Sequence, residues 1–177
     1  MNLAPFYASG SILIQPVPFR LRVLKSLTVL FEGINPDNGY RHDLRGKVFR
    51  GRVRYSDDDP ITMISILEAP IPQEPMTAKG PKSASSGMWE LLIQGFCDDD
   101  KRHPSDPAHK LMAEVKTALV RTKVIQNGNN ILGMSARVME MFIGQGTVRP
   151  ADEPTTEAFF WLTVSLRIAE DLENPYA

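Results

Sequence analysis

Three histidines, His42, His103 and His109, accompany four aspartates, Asp98, Asp99, Asp100 and Asp106. Side chains of these types ligate divalent metals. Their spacing matches no metal fingerprint, and an acidic run between a strand and a helix is ordinarily a solvated loop. The expectation is therefore no metal and no cofactor. Cys97 closes a dense apolar run and has no clearly presented histidine or helix end to activate a thiolate, so it reads as a core thiol. Ser83, Ser85 and Ser86 sit in a small-residue stretch without a GxSxG elbow, and Gly144-x-Gly146 is only a fragment of a phosphate-cradling loop. No constellation supports catalysis, and the chain is not expected to be an enzyme. What remains is the row Arg50, Arg52 and Arg54. It could contact phosphates in a salt-dependent way. It could equally be a solvated strand face or pair across strands with carboxylates such as Glu68. Net charge of −1 and the absence of a recognition element argue against a dedicated nucleic-acid module.

The elements that would position these groups follow from periodicity. Pro18 to about Glu32 places Leu21, Leu24, Leu27 and Phe31 on one helical face, and Asn35-Pro36-Asp37-Asn38-Gly39 ends that helix with turn chemistry. Lys47–Tyr55 alternates, with Phe49, Gly51, Val53 and Tyr55 on one side and the three arginines on the other. An acidic turn with Pro60 leads to a second strand, Ile61–Ala69, and the two together predict a hairpin. Residues 70–87 carry four prolines and read as a long flexible loop. Met88–Cys97 is a strand. Asp106-Pro107 predicts a helix start with Asp106 as the cap, and Leu111, Met112, Val115, Ala118 and Leu119 form the apolar stripe of a helix over 107–123. Val138–Val148 is a strand whose two glycines suggest a bulge or a close approach. In the final strand, Ala158–Ala169, Phe160, Leu162, Val164, Leu166 and Ile168 face the core. Phe159, Trp161, Thr163, Ser165 and Arg167 then face out. The order α-β-β-β-α-β-β predicts an α+β fold: an antiparallel or mixed sheet of about five strands with two helices on one face. The open face would carry arginines and the Phe159/Trp161 pair, residue types that interfaces enrich.

At 177 residues, with 42% apolar and 23% charged residues, the chain has the composition of one globular domain over 17–177 preceded by an arm over 1–16. A lone cysteine rules out an internal disulfide framework. The Pro-broken, uncharged start is a poor signal peptide, and no apolar run approaches membrane-spanning length. Action in the cytoplasm, or in a particle assembled there, is expected. The charges are sorted along the chain. Residues 1–55 hold nine Lys/Arg against three Asp/Glu, whereas from Ala151 onward Arg167 alone faces six acids, among them Asp152, Glu153 and Glu157. Such flanks either neutralise each other within the fold or let one copy dock on another.

Several segments together resemble the tail terminator, or tail completion, proteins of long-tailed bacteriophages. They are the opening helix LRVLKSLTVLFEGI with Asn38-Gly39-Tyr40, VFRGRVRY with its acidic turn, SILEAPIP, WELLIQGFCDDD, HPSDPAHKLMAEVK and the hydrophobic last strand. The resemblance spans roughly Phe19 to Asp171 and rests on structural motifs. It implies a virion protein at the tail–neck junction that forms a ring, a hexamer, on the last ring of tail tube protein. The ring would end tube polymerisation and offer the docking surface for the head–tail connector, with DNA only passing through the lumen and no membrane partner. Interface candidates are Arg50, Arg52 and Arg54 on the basic side and Asp152, Glu153 and Glu157 on the acidic side. Phe159 and Trp161 supply an aromatic pair, and Met76 would be an anchor in the 70–87 loop. The alternatives are a nucleic-acid-binding module using the arginine row, and another ring-forming phage connector or tail tube protein.

Overall fold

Apolar residues four apart, Phe19, Val23, Leu27 and Phe31, bury one stripe of the first helix, α1 (Phe19–Glu32). The stripe is rotated from the expected one. Val23 takes the buried place and Leu21 is partly exposed. The computed structural model describes residues 16–53, 56, 58–69, 77–78, 84–125, 130–151 and 157–176. Among the described residues seven strands follow one another into a single mixed sheet: β1 (Val48–Arg50), β2 (Met63–Glu68), β3 (Thr77–Ala78), β4 (Ala84–Cys97), β5 (Val138–Ile143), β6 (Thr147–Arg149) and β7 (Ala158–Asp171). The path runs β1-β2-β4-β7-β5, with β3 beside β4 and β6 beside β7. Helix α2 (Asp106–Ile125) lies between β4 and β5 in the chain and packs with α1 on one face, so the fold is α+β.

The predicted hairpin over 47–69 is absent. β1 and β2 run parallel, with Val48 opposite Ile64 and Arg50 opposite Ile66. Gly51 turns left-handed at φ 71° and ends the strand after three residues, its N–H bonding to the Ile66 carbonyl at 2.9 Å. A parallel partner needs a connection of about a dozen residues rather than a tight turn, and the stretch from Gly51 to Thr62 supplies it. The expected loop over 70–87 is also shorter than its composition suggested, because Ala84–Gly87 begin β4 and Ser85–Ser86 pair with Thr77–Ala78.

β4 and β7 form the spine, antiparallel in unbroken register from Ala84↔Asp171 to Cys97↔Ala158. Gly95 is required there. A Cβ would stand 2.2 Å from the Phe160 ring and 2.9 Å from Ile64, so that ring occupies the space a side chain would take. The Val138–Val148 segment divides into β5 and β6 around Gly144–Gly146, both pairing with β7. A Cβ on Gly146 would meet the Met112 sulfur at 2.6 Å, which is the close approach the glycines suggested. Under the helices, Phe160, Leu162, Val164, Leu166 and Ile168 of β7 join Leu91 and Ile93 of β4, and Leu111, Val115 and Leu119 of α2, in one buried core. α2 starts one residue earlier than expected. The His109 N–H bonds to the Ser105 carbonyl, which puts Ser105 at the cap and Asp106 in the first turn, where its charge suits the helix dipole.

Candidate interaction surface

The open face of the sheet is set by register. Alternate residues of the core-facing strands point away from the helices: Met63, Ser65 and Leu67 on β2, and Met88, Glu90, Leu92, Gln94 and Phe96 on β4. Phe159, Trp161, Thr163, Ser165 and Arg167 on β7 continue it, and Glu140 and Phe142 on β5 reach its border. One end of this face is closed. Met63, Phe96 and Phe159 form a second buried cluster with Phe49 packed against them, and Phe159 is only 6% exposed. That corrects its expected outward, accessible placement. The alternation set the direction of the side chain, but the segment after β1 folds over that end. Arg52 lies 3.8 Å above the Phe49 ring and is paired with Asp59.

Trp161 is 40% exposed and tilts against Phe159 at 5.3 Å between centroids. Phe142, Met139 and Met88 are exposed apolar residues on the same sheet, and sequence reasoning passed over them. A register shift between Val138 and Glu140 puts the segment out of simple alternation, so Val138 and Met141 are buried while Met139 and Phe142 are not. Exposed aromatic and Met side chains along one sheet belong to the class of surface that interfaces enrich.

The arginine row does not survive as a row. Arg50 is on the helix side of β1, where its guanidinium donates to Thr28 Oγ1 of α1 at 2.8 Å. Arg52, past the left-handed Gly51, lies on the opposite face. A straight strand would have kept the two together, and the early end of β1 separates them. Glu68 accepts from the Trp89 indole N–H at 3.3 Å. Glu157 is buried beside the start of β7, at 9% exposure, and is not available as a docking carboxylate. Arg54, Met76, Asp152 and Glu153 lie outside the described residues. The sorted charges partly meet within the fold, since Arg20 of α1 pairs with Glu170 of β7 at 3.0 Å and stacks 5.2 Å from Trp89.

The residues weighed for chemistry have structural tasks. Glu114 of α2 accepts the backbone N–H groups of Arg41 and His42 and contacts His42 Nδ1 at 2.8 Å, pinning the loop after α1. Asp100 accepts the backbone N–H groups of Arg102 and His103, both at 2.8 Å, which holds its carboxyl below the usual range and closes the turn before α2. Among the described residues no three His, Cys, Asp or Glu side chains converge as metal ligands would. Cys97 is buried, its thiol donating to the Ala158 carbonyl at 3.6 Å, and burial pushes it up to about 12. Among the described residues no helix is long and apolar enough to cross a membrane. No protein-family model and no curated protein matches the chain.

Proposed function

We propose that this chain is a ring-forming structural subunit, and that the ring is a phage tail terminator. It would cap the tail tube, end tube polymerisation and present a surface to the head connector. The observation that carries the structural reading is a sheet face that no helix covers among the described residues and that exposes Trp161, with Phe142 and Met88 further along it, opposite Ser165 and Arg167. A monomer gains nothing by keeping a tryptophan in water, whereas an interface gains its aromatic anchor. The narrower assignment to a tail rests on the motif resemblance from Phe19 to Asp171. Nucleic-acid binding through the arginine row is supported less, because Arg50 and Arg52 sit on opposite faces of the sheet and each has an internal partner.

Light scattering on the purified protein tests the reading. A discrete closed ring, of six copies if the resemblance is right, is the expected result. A stable monomer at every concentration rejects the ring. A retarded band with duplex DNA at low salt, lost as salt rises, would favour the nucleic-acid reading instead.

A further inference from the structure

The outer surface of the helical layer carries an apolar feature that the core does not explain. Val29 of α1 is 70% exposed, although a β-branched residue has poor helix propensity and nothing to pack against in solvent. It stands between two shallow hollows of about 450 and 420 Å³. Leu30 and Tyr40 line the first, Leu30 and Leu132 the second. Each has a cation at its border, Arg121 on the first and Lys25 on the second. Arg121 is held in place, donating to the Tyr40 hydroxyl at 3.1 Å with its guanidinium 5.2 Å from the ring.

The complementary chemistry is at the other end of the same helix. After β7 the chain continues Leu172-Glu173-Asn174-Pro175-Tyr176. This segment is fixed: the Asp171 carboxylate accepts the N–H groups of Glu173 and Asn174, and the Pro175 carbonyl accepts the Phe19 N–H at 2.8 Å. Its two large apolar side chains nevertheless point to solvent, Leu172 at 56% and Tyr176 at 50% exposure, with the exposed Glu173 carboxylate between them. The groove lies about ten residues further along α1, roughly 15 Å at the helical rise. Pinned at Phe19, the segment cannot fill the groove of its own chain.

We propose that residues Leu172–Tyr176 of one copy occupy the Val29 groove of a second copy. Leu172 and Tyr176 pack on Val29, Leu30 and Leu132, while Glu173 faces Lys25 and Arg121. The two patches differ, so the contact is head-to-tail, and a head-to-tail contact closes into a ring when its rotation allows. Five residues bury less than an ordinary stable interface, so a single contact is weak. Closure, in which every copy uses both patches, is what makes the assembly persist. The proposal rests on the ring reading and adds a second contact between neighbouring copies, apart from the Trp161 face, together with its direction.

Cysteine cross-linking tests it. Val29→Cys and Tyr176→Cys change side chains that are exposed in the single copy, so each variant should fold with the circular dichroism spectrum of the wild type, and buried Cys97 should stay silent. Mixed under mild oxidation, the two variants should give a cross-linked dimer that neither gives alone. The double variant should give a ladder ending at the ring. Cross-linking of Val29→Cys with itself would mean a two-fold contact and overturn the head-to-tail assignment. No cross-link in protein that light scattering shows to be a ring would overturn the groove assignment and leave the ring standing. A wild type that never assembles removes both.

Discussion

The two faces of the sheet are written in nearly the same alphabet and end in different states. On the helix side, Phe160, Leu162, Val164, Leu166 and Ile168 are all buried under α1 and α2. On the other side the same strand passes from buried Phe159 to exposed Trp161 within two residues. The difference lies in the cover. Two helices span the first face, while among the described residues the second has the segment around Arg52 and Phe49 over one end. On the proposed ring reading, the second layer over the uncovered part comes from another chain.

Removing the largest ring on the covered side should give the largest effect. Phe160→Ala empties the space above Gly95 and should cost about 3–5 kcal/mol in urea unfolding, as large aromatic truncations in cores do. A loss below about 1 kcal/mol would mean the covered face is not the main core. Phe159→Ala comes next, at about 3 kcal/mol, the low end for such truncations, because its cluster is small. If it behaves as an ordinary surface substitution, within about 0.5 kcal/mol, the second face has no core of its own. Trp161→Ala should cost the monomer only about 1 kcal/mol, the value of its contact with Phe159. It should nevertheless reduce assembly in light scattering, and intact assembly would show that partners do not cover this face.

The smallest effect concerns Cys97, and its sign follows from burial. Its thiol is raised to about 12, so the folded state favours the protonated form. That stabilisation is complete below the ordinary thiol value of 9.0 and is lost as pH rises from there towards about 12. Near pH 8 stability should not depend on the thiol at all, and an alkylating reagent should label it only as fast as the protein unfolds. Rapid labelling of native protein would show that the covered face opens locally.

Periodicity made the two helices, the spine strands and the α+β class legible, because buried stripes and alternation are local patterns. Three things were not local. The parallel β1–β2 pairing depends on Gly51 turning left-handed, and a glycine within KVFRGRVRY looks the same whether it continues a strand or ends it. Alternation placed Phe159 on the correct face, but whether that face is covered there depends on Phe49 and on Arg52, which lies over its ring and pairs with Asp59. Glu157 reads as surface charge from its acidic neighbourhood, yet it sits where β7 begins and is buried. Val29 was the opposite case. It falls off the Phe19–Val23–Leu27–Phe31 stripe, so its exposure was already visible on a helical wheel.

The spine also sets a clock. Cys97 and Ala158 meet across 61 residues of chain, and Ser85 reaches Glu170 across 85. Neither β4 nor β7 can find its main partner until the chain between them has been drawn in. The entropy of closing such a loop is spent before the ladder returns anything. Refolding should thus fall among slow, nonlocal topologies, in milliseconds to seconds, with α2 and the β5–β7 pairing formed before β4 docks. Until then β4, already able to pair with β2 across the shorter loop from Glu68 to Leu91, leaves its β7 edge open, and folding yield should drop as protein concentration rises.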